Sequence, residues 1–339
     1  MRNAAEGKRK DMSIPDIGKK LFTDYNYLVS FALIVLIAVV VNANFFRWRN
    51  ISNIFLQSAA STGLIALGMT MVICAGQIDI SVGAQVAIIS GFGIEVLNST
   101  HNIWLMLLFC AAFGACIGTF NGLLVAKGRM PAMIATLAVQ TSCRAIINHF
   151  GQGGPFSVAG GISTEPFYET FRQVSGGSVS VFGFGVPYPM IIFIVMGLLF
   201  GLIMQRTRLG KHIYAVGSNE TSARLSGVNV TRTKIAVFTI TGLMCGFTSW
   251  IYASRLMAVT AANAGNLFEM DSIAAVAIGG TAMSGGRGKI IGTFLGVLMF
   301  KIINNTLVAA KVPTFLTGAI SGAIIIIAVL LQNVRGKKK

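Results

Sequence analysis

The stretch Gln205–Lys234, QRTRLGKHIYAVGSNETSARLSGVNVTRTK, is a polar interruption in an otherwise apolar chain. Apolar runs stand directly before it (Met190–Met204) and directly after it (Ile235–Tyr252). It contains six Lys and Arg residues against one acid, Glu220. A basic loop between two membrane helices is retained on the cytoplasmic side of the membrane. The stretch therefore predicts a polytopic membrane protein with this segment in the cytoplasm.

The run GSNETSARLSG in the middle of this stretch has the pattern of a short capped helix. Ser218 or Asn219 can accept the free N–H groups at its start, and Gly227 suits the left-handed residue that ends a helix. Glu220 stands at the positive end of the helix dipole and four residues before Arg224, a favourable spacing. The pattern leaves two interpretations open, a rigid helix that contacts a cytosolic partner or an ordinary connecting loop.

The composition agrees with a membrane protein of one domain. Hydrophobic residues make up 54% of the 339 positions and charged residues only 11%, whereas soluble domains carry about 25% charged residues. A net charge of +16 would suggest nucleic acid in a soluble protein. Here the basic residues stand at the ends of apolar runs, where membrane orientation and anionic lipid explain them. We therefore expect a lipid bilayer as partner and no nucleic acid.

At ~20 apolar residues per span, the chain has room for about ten transmembrane helices. Apolar runs and polar breaks place them at 28–46, 52–75, 79–97, 103–126, 131–150, 188–205, 233–254, 269–281, 290–308 and 313–332. The run 269–281 is too short to cross a ~30 Å core alone. It either begins earlier in the sequence or is re-entrant.

The basic residues orient this topology. With the N-terminus inside, the cytoplasmic segments are 1–27, 76–78, 127–130, 205–234, 282–289 and 333–339, and they hold 20 of the 27 Lys and Arg residues. The opposite orientation would reverse that ratio. We therefore expect a single transmembrane domain at 28–332, with a basic cytoplasmic segment at each terminus. The Gly- and Ser-rich loop 151–187 lies outside, and we expect turns and a short hairpin there, around 179–182.

A nine-residue motif occurs twice. The run IGTFNGLLV at 117–125 recurs as IGTFLGVLM at 291–299, identical at six of nine positions, in the fourth and ninth predicted spans. A repeat unit of five spans is odd-numbered, so its two copies cross the membrane in opposite senses. Such five-plus-five inverted repeats are typical of transporters with a pathway at the membrane midplane. Alternatively, small-residue patterns recur by chance in closely packed membrane helices.

Signatures of an enzyme are missing from the sequence. The nearest approach to a phosphate-binding loop, GGRGK at 285–289, is followed by Ile290 and lacks the hydroxyl that would hold Mg²⁺. His101, His149 and His212 are far apart and without metal-ligand spacing. We therefore expect no catalytic residue, no cofactor and no metal site, and the chain cannot hydrolyse ATP by itself.

Three segments, 67–83, 208–229 and 269–293, together resemble the membrane permease subunit of bacterial ATP-binding-cassette importers for ribose and related monosaccharides. The similarity runs from about Phe45 to the C-terminus, is also strong over 127–137, and leaves the N-terminal basic segment outside. The resemblance implies an inner-membrane complex with a second permease copy, as homodimer or heterodimer. It also implies cytoplasmic ATP-binding subunits and a periplasmic sugar-binding protein.

The same resemblance assigns the GSNETSARLSG run as the coupling helix that an ATPase subunit receives. The residues it implies for this role are Gly217, Asn219, Glu220, Ala223, Arg224 and Gly227.

Polar residues at membrane depth are candidates for the substrate path, since a neutral sugar needs hydrogen-bonding groups rather than net charge. The candidates are Gln77, Asp79, Arg144, Asn304 and Asn305. Each has a structural alternative. Asp79 can cap the third span or belong to an unwound, cavity-lining break, Arg144 can extend towards the outer surface, and the asparagines can join two helices.

A self-sufficient carrier or channel for a small polar solute is the alternative function. A proton-coupled carrier requires several carboxylates at membrane depth. Only Glu95 stands inside a predicted span, with Asp79, Glu269 and Asp271 near span ends. A carrier would also have no use for a coupling helix. The sequence does not show which sugar is transported.

Overall fold

A computed structural model describes residues 26–59, 61–161, 165–313, 316–320, 322–323 and 326. The N-terminal basic segment (apart from its last two residues), the basic tail 333–339 and most of the predicted tenth span lie outside the described residues. The described helices are α1 (Asn26–Val41), α2 (Trp48–Ala59), α3 (Gly63–Cys74), α4 (Val82–Thr100), α5 (Ile103–Ala126), α6 (Ala132–Gly151), α7 (Pro166–Gly176), α8 (Tyr188–Arg206), α9 (Arg208–Ser218), α10 (Glu220–Leu225), α11 (Val230–Leu256), α12 (Phe268–Ile278) and α13 (Ile290–Ala309). Residues 316–320 are also helical.

Five of these helices, α4, α5, α8, α11 and α13, are long and apolar enough to cross a membrane. Helices α2 and α3, bent by 48° at the break between them, together have the length and apolar character of either one broken span or a re-entrant pair, and α1 contributes a shorter apolar helix. Helix α6 has the length of a span, 20 residues, but Gln140 and Arg144 make it more polar. The predicted all-helical, polytopic membrane fold is confirmed.

Helix α12 is only 11 residues long, or ~16 Å at 1.5 Å per residue. That is about half of a ~30 Å hydrocarbon core. A short strand, β4 (Ala258–Thr260), and turns at 261–267 precede it, so the helix does not begin earlier in the sequence. Helix α3, with 12 residues, is nearly as short and is completely buried. The domain therefore contains two half-length helices, of which α12 is only partly buried.

Helix α11 is the central element, packing against α3, α4 and, most extensively, α5. Small residues make the α5–α11 contact possible, because a Cβ atom at Gly114 or Gly118 would overlap the backbone of α11 at Gly242 and Phe238. Close backbone approach of this kind replaces the hydrophobic effect as the source of helix association in lipid.

The two copies of the repeated motif make matching contacts. Thr119 in the first copy lies 2.8 Å from Thr239 on α11, hydroxyl to hydroxyl. Thr293 in the second copy lies 2.7 Å from Thr70 on α3 in the same way. Equivalent threonines therefore join α5 to α11 and α13 to α3.

One end of the domain, called here the hairpin end, carries the short strands. Strand β1 (Pro155–Ser157) pairs antiparallel with β4, and β2 (Ser178–Val181) pairs with β3 (Phe184–Pro187) in the predicted hairpin. Helix α7 lies between β1 and β2 in the chain, where the sequence predicted only turns. It packs on α11, where the Ser254 hydroxyl accepts from the Ser175 N–H (3.0 Å) and donates to the Phe171 carbonyl (2.7 Å).

Candidate functional site

The opposite end of the domain, called the basic end, carries the loops 127–130, 207–229 and 282–289. The capped helix predicted there is α10. Its N-cap is Asn219, whose side chain accepts the Ser222 N–H at 2.9 Å, and Gly227 follows the helix with a φ of 82°. Only glycine adopts that left-handed conformation without steric cost. The segment is therefore a short, ordered helix rather than an irregular loop.

Glu220 joins α10 to the start of α11. Its carboxylate lies 2.7 Å from the Lys234 ammonium and 3.1 Å from the Arg224 guanidinium. The hydrogen bond from Lys234 is the main reason that the pKa of Glu220 lies below its usual range, and the charges of Lys234 and Arg224 act in the same direction. The carboxylate therefore remains ionised and holds the small helix in place.

The two faces of α10 differ. Ala223 is buried and packs with Val216 and Val230 in a small apolar cluster. Leu225, at the end of the helix, is 84% exposed. Leu225 was not among the residues predicted from the sequence, although a leucine at the end of this mostly polar helix is a recognisable signal. The exposed face of α10 therefore presents one apolar side chain, Leu225, beside the exposed Arg224.

Three chain segments meet at Gly217, in what we call the glycine junction. They are the end of α3 at Cys74, the end of α9 at Gly217 and the loop after α12 at Gly285 and Gly286. A Cβ atom at Gly217 would overlap the Cys74 carbonyl and lie 2.7 Å from the Gly286 nitrogen. The Gly286 N–H donates to that same carbonyl at 2.9 Å. The end of α3 and the loop after α12 are thus connected to the segment that precedes α10.

Tyr214 adds a second connection between α9 and the loop after α12. Its hydroxyl donates to the Gly288 carbonyl at 2.8 Å. Burial raises the pKa of Tyr214 to about 12, so the hydroxyl keeps its proton and remains a donor at physiological pH.

A cavity of about 540 Å³ opens between α5, α10 and the start of α11. Its polar lining includes Gln77, Arg129, Glu220, Arg224 and Lys234. Gln77 begins the break between α3 and α4, where residues 77–80 are not helical. One predicted path residue therefore lies beside the predicted coupling helix.

Asp79, two residues further on, lies in the packed interior. It is fully buried and accepts the Ser81 N–H at 2.9 Å and the Ser81 hydroxyl at 2.6 Å. Asn121 on α5 donates to the Ser81 hydroxyl at 2.8 Å. Asp79 thus turns the chain into α4, whose N-cap is Ser81, and it anchors an extended break.

Arg144 lies on α6 and is half-buried. Its guanidinium donates to the Ala261 carbonyl at 2.9 Å and is within electrostatic reach of Glu269. Glu269, in the first turn of α12, is 7% exposed. Arg144 therefore holds the turns before α12 against α6.

The two asparagines lie on α13. Asn305 donates to the Asn50 side chain on α2 at 2.9 Å, a helix-to-helix contact, and Asn304 beside it is half-buried. Lys301, one turn earlier, is within electrostatic reach of Asp271 on α12. Among the described residues, the five predicted path residues thus lie at four separate places: the cavity, the α4–α5 interior, α6 and α13.

Comparison with known proteins shows similarity along nearly the whole chain. Residues 50–329 match the family described as branched-chain amino acid transport system / permease component. The ribose import permease protein RbsC of Haemophilus influenzae is 34% identical over 325 residues, which cover 95% of this chain and 97% of that protein.

Two further relatives extend the comparison. RbsC of Bacillus subtilis is 36% identical over 301 residues, covering 89% of this chain and 90% of that protein. The galactose/methyl galactoside import permease protein MglC of Haemophilus influenzae is 31% identical, covering 92% of this chain and 95% of that protein. No solved structure shows a significant match.

Proposed function

Because the chain belongs to the family of branched-chain amino acid transport system permease components, we propose that it is the membrane permease subunit of an ATP-binding-cassette importer for a ribose-like monosaccharide. The observation that carries this proposal is the near full-length similarity to ribose, galactose and xylose permeases. The chain is a multi-pass protein of the bacterial inner membrane and is not an enzyme. Separate ATP-binding subunits hydrolyse ATP, and a periplasmic binding protein delivers the sugar.

The basic end faces the cytoplasm, with both termini on that side and the hairpin end outside. Lys and Arg are retained on the inner side of membranes, and the structure gathers Arg129, Arg224 and Lys234 around one cavity at this end.

Helix α10 is the coupling helix, with Gly217, Asn219, Glu220, Ala223, Arg224 and Gly227 in the roles expected for them. Asn219 and Gly227 shape its ends, Ala223 and Glu220 hold it on the domain, and Arg224 faces solvent. Leu225 joins this set as the exposed apolar contact. Because Gly217 touches Cys74 and Gly286, a displacement of α10 by an ATPase subunit is transmitted to the end of α3 and to the loop after α12.

The substrate path runs where two permease copies meet. Gln77, Arg144, Asn304 and Asn305 approach this path, with Arg144 towards the outside. Gln77 lines the cavity at the basic end, which supports its place at the cytoplasmic opening. Arg144 and Asn305 each bond to protein within the chain, so their place on the path stays a prediction from the sequence. Asp79 is fully buried, so its role is to position the break that carries Gln77.

Ten spans in a five-plus-five inverted repeat complete the architecture. In such a repeat, each span of the first half corresponds to the span five positions later. The fourth span (α5) therefore corresponds to the ninth (α13), and the seventh (α11) to the second (α3). Both pairs are in contact and both carry a threonine pair. By the same correspondence, the pair of α4 and α5 matches the pair of α12 and α13. The pair of α4 and α11 likewise matches the pair of α12 and α3. The two helices of each pair are in contact. This agreement supports a pseudo-twofold axis through the core.

Reconstitution tests the function. The permease, its ATP-binding subunits and its sugar-binding protein are placed in vesicles, and uptake of labelled ribose, galactose and xylose is measured. We expect ATP-dependent uptake of one of these sugars that stops when the binding protein is omitted. The control complex carries an ATPase subunit that binds ATP without hydrolysing it. Uptake by the permease alone, driven by a proton gradient, would instead identify a secondary carrier.

A further inference from the structure

The β2–β3 hairpin, residues 178–187, is an unusually apolar element for a surface loop. Its sequence SVSVFGFGVP contains no charged residue. Phe182 at the tip is 98% exposed, and Val179, Val181 and Phe184 are between 41% and 54% exposed. The two turn residues, Phe182 and Gly183, have φ angles of 51° and 82°, as in the tight turn that matches the twist of a hairpin.

Two antiparallel strands alone are at best marginally stable in water. This hairpin has one main support within the described chain, Trp48 at the start of α2. The Trp48 indole N–H donates to the Gly185 carbonyl at 2.8 Å, and its ring lies 5.3 Å from that of Phe184. This contact holds strand β3 close to the turn, while Phe182 at the tip stays uncovered. An uncovered apolar tip of this kind indicates an apolar partner.

The position of the hairpin identifies that partner. Strand β3 continues directly into α8, a helix long and apolar enough to cross a membrane, on which Leu198 and Leu202 are 65% and 60% exposed. Trp48, Trp104 and Tyr188 stand at the starts of α2, α5 and α8 at this same end. Trp and Tyr collect at the level of the lipid headgroups. The hairpin thus stands directly before an apolar helix, at the end of the domain that carries these interfacial aromatic residues.

We propose that the β2–β3 hairpin inserts its Phe182 tip into the bilayer leaflet at the hairpin end and anchors the starts of α2 and α8 at the interface. The absence of charge favours lipid over a soluble binding protein as the occupant. The neighbouring helix α7 shows the contrast, since it carries an exposed ion pair, Glu169–Arg172 at 3.6 Å. The identification of this leaflet as the outer one rests on the orientation proposed above.

Depth-dependent fluorescence quenching tests the insertion. In a Cys116→Ala background, which removes the exposed native thiol and keeps the four buried ones, Phe182→Cys is labelled with a polarity-sensitive fluorophore. The labelled permease is placed in vesicles of phosphatidylethanolamine and phosphatidylglycerol. We expect blue-shifted emission, quenching by lipids with a spin label near the headgroup, and protection from aqueous iodide. Glu169→Cys on α7 is the matched control, with red-shifted emission and quenching by iodide.

Three results would overturn the proposal. Iodide quenching at position 182 equal to that at 169 would place the tip in water. Protection from both quenchers would place it against a second permease copy, and a response only after the sugar-binding protein is added would make it a docking site. Val181→Cys, labelled in the same way, provides a second site if Phe182→Cys fails to fold. The measurement uses neither sugar nor ATP, so its failure leaves the proposed transport function untouched.

Discussion

Glu220 shows how a single side chain can hold a helix too short to be stable alone. Isolated helices below about 12 residues are marginal in water, and α10 has six residues. Two cations hold its first residue, and of these Lys234 is the more buried, with its side chain 12% exposed. Replacing the carboxylate therefore removes a connection between α10 and α11 while leaving the apolar contacts of Ala223 in place.

We expect Glu220→Gln to loosen α10 at neutral pH and to abolish the pH dependence of its stability. Folding lowers the pKa of Glu220, so the carboxylate stabilises the fold fully at pH values above its pKa in the unfolded chain, about 4.3. This stabilisation is lost as the pH falls through the lower pKa that Glu220 has in the folded protein. With the carboxylate 42% exposed, the effect amounts to no more than about 1 kcal/mol.

Hydrogen exchange of the amides at 219–228 measures this loosening, in mild acid and at neutral pH. Glu169→Gln removes an exposed ion pair at the other end of the domain and should leave those amides unchanged. Equal exchange in the Glu220→Gln variant and the parent at both pH values would contradict the assigned role of the carboxylate.

At the scale of elements, the glycine junction joins α9 through backbone atoms to the end of α3 and to the loop that follows α12. Contacts between backbones transmit displacement more directly than flexible side chains, because there is no rotamer to absorb the motion. The junction tolerates no Cβ atom at Gly217, where Cys74 and Gly286 approach from two sides. Its geometry thus requires glycine for close packing rather than for a special φ value.

We expect Gly217→Ala to separate ATP hydrolysis from transport. The added methyl group must displace the Cys74 carbonyl, and overpacking of this kind costs ~1–3 kcal/mol. Sugar uptake should fall strongly while the ATPase subunits still bind, since the exposed face of α10 is unchanged. Uptake and ATPase activity are measured on the same vesicles.

Gly201→Ala on α8 is the control, because no atom lies within 4 Å of the added carbon. Normal coupling in Gly217→Ala would show that the junction is structural only.

At the scale of the whole molecule, the two ends of the domain differ in charge and in partner. The basic end presents a cavity with three cations, and the hairpin end presents aromatic residues and an uncharged hairpin. In the orientation proposed above, the basic end meets the ATP-binding subunits and the hairpin end meets the sugar-binding protein. A test of orientation must use positions that the fold leaves accessible. Ser175, in the predicted external loop, is 5% exposed and therefore unsuitable.

We expect Glu169→Cys to react with a membrane-impermeant maleimide in intact cells from which the outer membrane has been removed. Leu225→Cys should react only after the inner membrane is permeabilised. Both positions are well exposed, the Glu169 side chain at 61% and Leu225 at 84%. A reversed pattern would invert the proposed topology. The Cys116→Ala background again removes the exposed native thiol.

Much of the candidate site could be predicted from local sequence. The caps at Asn219 and Gly227 and the ion pair of Glu220 with Arg224 depend on residues a few positions apart. Local patterns encode such contacts, because a helix places positions three and four apart on one face. Lys234, fourteen residues from Glu220, lies beyond that range, and only the packing of α10 against α11 brought it to the carboxylate.

The sequence by itself determined the membrane class, the positions of the long helices and the short capped helix α10, because hydropathy, charge and capping act locally along the chain. Tertiary structure alone decided that α12 does not begin earlier in the sequence, that α7 covers the hairpin end and that Asp79 is buried while Gln77 lines a cavity. It also brought Cys74, Gly217 and Gly286 together. Contacts between distant segments depend on which backbones can approach closely, and a glycine in a sequence does not reveal which backbone will fill the space it leaves.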